Sequence, residues 1–251
     1  MQMCQYNLYH LVVRMQSLSL AIIFCGFSKI NKKQQRKMNQ CQFENKNMMA
    51  DLLVIGAGQL GRLVANAWKS THPKSKVTLK FRSFNKERKQ ALESEGFCVI
   101  SQEKGEACSA PLVVFCAPTT GNPDYVKDIK TALDQNWDNK TTESCFVFTS
   151  SGSVFVENAG GEVDETSEVV KTVRSEKLVD GEDAVLAHGG CVLRLGGLYP
   201  YSRETMAFYS KKGAEIARPR GLINQVRINQ IFSKCEFTHT RFIMKMLQLR
   251  R

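Results

Sequence analysis

From residue 51 onward, short runs of consecutive apolar residues alternate with longer stretches whose apolar positions recur every three or four residues. The runs predict strands at Leu52–Ile55, Val77–Phe81, Phe97–Ile100, Leu112–Cys116, Cys145–Thr149 and Cys191–Arg194. The periodic stretches predict helices at Gln59–Lys69, Lys86–Glu95, Asp124–Asn136 and Val169–Leu186. In the first helix Leu60, Leu63, Val64 and Ala67 form one apolar stripe. Strands apolar on both faces and separated by amphipathic helices call for a parallel sheet covered on both sides. The predicted fold class is therefore α/β, a doubly wound parallel sheet. Pro118, Gly121-Asn122-Pro123 and Gly160-Gly161 punctuate the loops.

Length and composition narrow the picture. A chain of 251 residues, 43% hydrophobic and 24% charged, has material for one domain with appendages and is not globally disordered. Its formal charge of +11 belongs to the ends. Residues 1–50 carry seven Lys/Arg against Glu44 alone, and residues 218–251 carry eight against Glu236 alone, so the middle is nearly neutral. Residues 1–48 read as a basic, acid-poor extension. Its composition fits a transit peptide to chloroplast or mitochondrion, or equally an extension without a cellular role, in which case the protein is cytoplasmic. The stretch Leu11–Phe27 is interrupted by Arg14, Gln16, Ser17 and Ser19 and falls short of the roughly 20 apolar residues a membrane span needs. Nine cysteines, an odd number without a Cys-x-x-Cys pair, suit neither a zinc site nor a secreted disulfide framework. Cys116 and Cys145 lie in apolar runs and are expected as small buried hydrophobes. His10, His72, His188 and His239 are scattered, so no metal site is expected.

The chemistry begins at Gly56-Ala57-Gly58-Gln59-Leu60-Gly61, directly after the first strand and opening the first helix. Gly56 permits a tight turn, Gly58 lets a pyrophosphate approach the backbone, and Gly61 allows close helix–strand packing. The helix N-terminus, at Gln59 and Leu60, offers free amides to negative charge. An NAD site usually places an acid roughly 20 residues further on, for the ribose 2′-hydroxyl. Here the second strand ends in Lys80-Phe81-Arg82-Ser83, with no acid. Arg82 can pair with a 2′-phosphate through its planar fork, Ser83 can add a hydroxyl, and Lys80 or Arg88 can add diffuse charge. The cofactor expected is NADP in preference to NAD. Cys116-Ala117-Pro118, at the end of the fourth strand, completes the expected cofactor-binding set.

The fifth strand ends in Thr149-Ser150-Ser151-Gly152-Ser153-Val154-Phe155. With the glycine loop and Arg194-Leu195-Gly196-Gly197-Leu198-Tyr199, this order of motifs resembles the atypical or extended short-chain dehydrogenase/reductase superfamily, the NAD(P)-dependent epimerase/dehydratase-like Rossmann proteins. The resemblance spans residues 51–224 and implies a catalytic serine at Ser151. It also implies a Tyr-x-x-x-Lys pair on the next helix, whose counterpart is Val173-Arg174-Ser175-Glu176-Lys177. Lys177 is present, but the tyrosine is replaced by Val173, and no Tyr occurs from 126 to 198. General acid–base help is typically worth about 10²- to 10⁴-fold, and valine gives none, leaving Glu176 or a water as donor. Arg218-Pro219-Arg220-Gly221-Leu222-Ile223-Asn224 still looks like the family, but Gln225 onward does not, so a short or truncated substrate lobe is expected.

These readings divide the chain into the extension 1–48, a Rossmann NAD(P)-binding domain with a remnant substrate lobe at 49–225, and a basic tail at 226–251. The resemblance implies an NADP-preferring oxidoreductase or epimerase-like protein acting on a small-molecule or sugar-like substrate. The alternative is a non-catalytic NADP-binding sensor or scaffold. A third reading is RNA binding, since some atypical relatives bind RNA. Lys32-Lys33 and Arg36-Lys37 lack interleaved stacking aromatics, so nucleic acid is disfavoured. Proteins resembling the β-hydroxyacid dehydrogenases share a strand end like Val113–Pro118 but need a long helical C-terminal domain, for which this chain is too short. A homodimer is compatible with the helix faces.

Overall fold

The computed structural model of the chain describes residues 23–25, 50–103, 105–141, 144–156, 161–164, 166–199 and 225–227. The expectations for the rest of the N-terminal extension, for 218–224 and for the remainder of the tail lie outside the described residues. In chain order the strands are β1 (Ile23–Cys25), β2 (Leu52–Ile55), β3 (Val77–Phe81), β4 (Cys98–Ser101), β5 (Leu112–Phe115), β6 (Cys145–Ser151), β7 (Cys191–Leu195), β8 (Gly197–Tyr199) and β9 (Gln225–Arg227). The helices are α1 (Gln59–Thr71), α2 (Lys86–Ser94), α3 (Tyr125–Thr131) and α4 (Glu176–Ala187).

Seven strands form one sheet in the order β1-β7-β6-β5-β2-β3-β4. Six of them run parallel, with Leu52 opposite both Val77 and Leu112. All four residues of β2 and all four of β5 are buried, as the unbroken apolar runs require. Successive residues serve opposite layers. Leu52, Val54, Leu79 and Val114 pack with Val64 and Trp68 of α1 and Leu92 of α2. Leu53, Val113, Phe146 and Phe148 pack with Tyr125 and Ile129 of α3 and Val185 of α4. The fold is thus a doubly wound α/β Rossmann-like sheet.

The chain leaves β2 for β3 and β4 on one side, then crosses to β5 on the other. The strand order therefore reverses between β2 and β5, and the crevice at their carboxyl ends is where such sheets take ligands.

Four local features differ from the sequence expectation. Ile23–Cys25, within the expected extension, pairs antiparallel with β7 and forms the sheet edge, with Phe24 opposite Leu193. An apolar segment satisfies the backbone groups that an edge strand leaves open. The helix expected over 124–136 is α-helical only to Thr131 and continues as a π-helical turn over Ala132–Asn136. The last helix begins at Glu176, seven residues later than its apolar periodicity suggests. Val169 instead bridges Phe155, and Val170 N donates to Val154 O. Thr172 N donates to Ser175 Oγ at 2.9 Å, while Ser175 N donates to Thr172 Oγ1 at 3.2 Å. Such hydroxyl–backbone bonds compete with helix propagation and delay the start. Finally, β9 pairs with β8 in a small parallel sheet and continues past the expected boundary at 225. Among the described residues, no helix is long and apolar enough to cross a membrane.

Candidate functional site

At the switch point, the turn after β2 meets the segment after β5. Gly56 has φ +84°, and a Cβ on it would lie 2.4 Å from the backbone of Ala117. Cys116 N donates to Ile55 O, which holds the two strand ends together. A Cβ on Gly61 would stand 2.8 Å from Gly56 O and 2.9 Å from Val54 Cγ1, so α1 sits directly on the turn. Gly58 contrasts with both, because no atom lies within 4 Å of its Cβ position. It forms a shallow backbone cradle at the start of α1. No side chain caps that helix and no acid occupies its first turn, so its dipole and leading amides are left for an anion. Gln59 is exposed at this end, and Leu60 packs against the core.

The cations expected here take different positions. Arg82, exposed at the tip of β3, donates from Nη1 to Gly121 O at 2.9 Å, and Ser83 is exposed beside it. Arg88 reaches the glycine turn itself: its Nη2 lies 3.5 Å from Ala57 O and its guanidinium carbon 4.7 Å from the Phe81 ring centroid. Lys80 turns away, donating to Asn136 Oδ1 at 3.0 Å. Burial holds its pKa below the ordinary lysine value, partly offset by Cys108 and Asp128. Lys80 lines a cavity of about 180 Å³ with Gln102, Glu106, Asp128 and Gln135.

On the other side of the crevice, Ser151 ends β6 and Lys177 lies in the first turn of α4. Ser151 Oγ accepts from Ser153 N at 3.2 Å, capping the 3₁₀ turn Gly152–Val154. This leaves its hydroxyl proton free to donate. Lys177 Nζ donates to Asn122 O at 2.8 Å. The structure thus does not bond Ser151 to Lys177, but it ties both Arg82 and Lys177 to consecutive carbonyls of one loop. That loop is firm: Asn122 is buried, with Nδ2 on Asp128 Oδ2 at 2.8 Å and Oδ1 accepting from Asp124 N at 3.1 Å.

Val173 is 98% exposed and precedes the helix, so it does not share a helical face with Lys177. Glu176, in the first turn of α4, is exposed. Tyr125, at the start of α3, donates its hydroxyl to Ala117 O at 3.1 Å. Burial pushes its pKa well above the ordinary tyrosine value, and the nearby Cys116 adds to the rise. Cys116 is packed against the core, and burial pushes its thiol up to about 12 despite a hydrogen bond with Thr149. Pro118 follows in the same segment.

Sequence reasoning passed over the buried cluster behind Ser151. Ser150 Oγ donates to Glu182 Oε1. Arg194 donates from Nη2 to Glu182 Oε2 at 2.6 Å and from Nε to both carboxylate oxygens at 3.1 and 3.2 Å. The Phe155 ring centroid lies 4.9 Å from the same guanidinium. The signal was present. Arg194 interrupts an otherwise apolar strand, and Glu182 stands three residues from both Val179 and Val185 on the buried face of α4. Two opposite charges at core positions imply each other. Among the described residues, no group of three His, Cys, Asp or Glu side chains could hold a metal ion.

No protein-family model matches the chain, and no curated protein matches it. Solved structures do. A protein of Methylobacillus flagellatus described as an NAD-dependent epimerase/dehydratase superposes with a TM-score of 0.54, at 15% identity, over 81% of this chain and 71% of that one. A conserved protein of unknown function from Silicibacter pomeroyi gives a TM-score of 0.49 at 18% identity over 72% of this chain. The match spans 65% of that protein's length. The ADP-L-glycero-D-manno-heptose-6-epimerase of Helicobacter pylori gives 0.45 at 16% identity, over 69% of this chain and 62% of that one. At this identity the likeness to the Methylobacillus flagellatus protein is one of fold, a doubly wound α/β Rossmann-like sheet.

Proposed function

We propose that the chain binds NADP at the β2–β5 switch point and acts as an NADP-preferring oxidoreductase or epimerase-like protein on a small-molecule or sugar-like substrate. The observation that carries this reading is the division of labour among the glycines. Gly56 and Gly61 are required by packing, whereas Gly58 is bounded by open space at an uncapped helix N-terminus. A pyrophosphate fits that cradle on both shape and charge. Ser83 and Arg88 supply hydrogen-bond donors at the adenosine side, with Arg82 docked on Gly121 O and no competing acid at the end of β3. Cys116 and Ala117 border the turn from the β5 side.

A bound nicotinamide would supply the hydride donor or acceptor. Ser151 would donate its free hydroxyl proton to a substrate carbonyl or hydroxyl oxygen, and Lys177 would orient the ribose from the start of α4. A second reading is favoured by two observations: Val173 stands exposed outside α4, and Tyr125 is engaged with Ala117. On that reading the chain binds NADP as a sensor or scaffold, without efficient turnover.

The test is a fluorescence titration of the full chain with NADPH and NADH, followed by a turnover assay with sugar-nucleotide and small carbonyl substrates. NADPH binding with turnover lost in Ser151→Ala supports the enzyme. NADPH binding without turnover supports the sensor. No binding of either nucleotide contradicts both.

A further inference from the structure

By sequence position Arg82 is the residue that should meet a 2′-phosphate. Its Nη1 instead donates to Gly121 O, in the loop after β5, on the far side of β2 from its own strand. Arg88 is placed differently. Asn85 caps α2 by accepting from Arg88 N at 2.9 Å, which settles the first turn of that helix. From there the guanidinium lies over Phe81 and reaches Ala57 O, the middle of the glycine turn. Phe81 is itself buried in the core and meets Phe84 edge-on, with ring centroids 6.0 Å apart. A guanidinium stacked on a fixed ring keeps its plane while retaining most of its donors. Glu87 of the same turn is exposed and not bonded to Arg88, and the first turn of α1 holds no acid. The positive charge beside the glycine turn therefore lacks a carboxylate partner among the described residues.

We infer that Arg88, stacked on Phe81 against the glycine turn, and not Arg82, is the residue by which this chain distinguishes a 2′-phosphorylated adenosine from one with a free 2′-hydroxyl. This rests on the dinucleotide reading above. The Nε and Nη1 edge of Arg88 takes the phosphate oxygens, and Arg82 stays docked on Gly121.

The experiment titrates the full chain and its Arg88→Gln, Arg88→Lys and Arg82→Gln variants with NADPH and NADH. The same proteins are titrated with adenosine 2′,5′-bisphosphate and adenosine 5′-monophosphate. Loss of charge-assisted hydrogen bonds predicts that Arg88→Gln weakens NADPH and the bisphosphate by roughly 10- to 100-fold. NADH and the monophosphate are unaffected, Arg88→Lys retains part of the preference, and Arg82→Gln changes any affinity by less than about threefold. A preference that survives Arg88→Gln and disappears in Arg82→Gln overturns the inference. Equal affinity of the unmodified chain for NADPH and NADH also overturns it while leaving the dinucleotide reading standing. Absence of binding to every nucleotide overturns the dinucleotide reading itself.

Discussion

Arg194 of β7 and Glu182 of α4 form an ion pair whose side chains are only 3% and 2% exposed. The carboxylate accepts three hydrogen bonds from Arg194 and one from Ser150, the residue before the proposed catalytic serine. The pair thereby joins β6, β7 and α4 at the end of the sheet where Ser151 and Lys177 stand. Ser150 and Arg194 are also register partners across β6 and β7.

Removing one partner of a buried pair leaves the other charge uncompensated, which costs about 3–5 kcal/mol. Glu182→Ala should lower the urea midpoint accordingly. Replacing both residues, as in Glu182→Leu with Arg194→Met, should cost much less than the sum of the single changes. A double-variant cost equal to the sum of the two single costs would show that the pair is not coupled.

The glycine turn makes a separate stability prediction. Gly56→Ala combines a left-handed φ with a Cβ driven into the backbone of Ala117, and Gly61→Ala drives a Cβ into Gly56 O. Each should destabilise by about 1–3 kcal/mol in chemical denaturation. A neutral outcome for Gly56→Ala would mean that the turn does not press on the β5 segment as described.

Thiol reactivity should follow position. The thiol of Cys191 lies 4.0 Å from that of Cys145, and this contact holds Cys191 below the ordinary thiol value while Cys145 is pushed above it. Burial pushes Cys116 up to about 12. Alkylation read by mass spectrometry at mildly alkaline pH should therefore label Cys191 before Cys145 and Cys116. Cys116 also has a stability consequence of defined sign. Between its ordinary value of 9.0 and about 12, the unfolded chain releases this proton while the folded chain keeps it. Its contribution therefore falls as pH rises through that window and is constant below it. Cys116→Ala should flatten the dependence.

Restoring the residue that the family resemblance lacks should not restore chemistry. Val173→Tyr places a hydroxyl in the exposed turn before α4, not on the helical face of Lys177. Stability should change by less than about 0.5 kcal/mol, with no gain in nicotinamide oxidation. A gain in turnover would show that the turn can wind into α4.

The sheet was legible because its strands are buried on both faces. Runs such as Leu52–Ile55 and Leu112–Phe115 have no polar position to blur them. The glycine turn was legible because its three glycines meet distinct steric demands. Less was visible where polar side chains decide the backbone. Thr172 and Ser175 delay α4 through mutual hydrogen bonds, although the apolar spacing from Val169 still reads as helix. The destination of a long cation was likewise hidden. Lys80, Arg82 and Arg88 lie within nine residues, yet they end respectively on Asn136, Gly121 O and the glycine turn. Those choices depend on loops far away in sequence.

The most direct test of the dinucleotide site is a calorimetric titration of the full chain and of Gly58→Ala with NADPH, alongside their thermal melting. Gly58 has φ −72° and open space at its Cβ position, so alanine leaves the fold intact and occupies only the cradle. The expected result is one saturable site in the unmodified chain and a large loss of affinity in Gly58→Ala at an unchanged melting temperature. No binding by the unmodified chain, or equal binding by both, would contradict it.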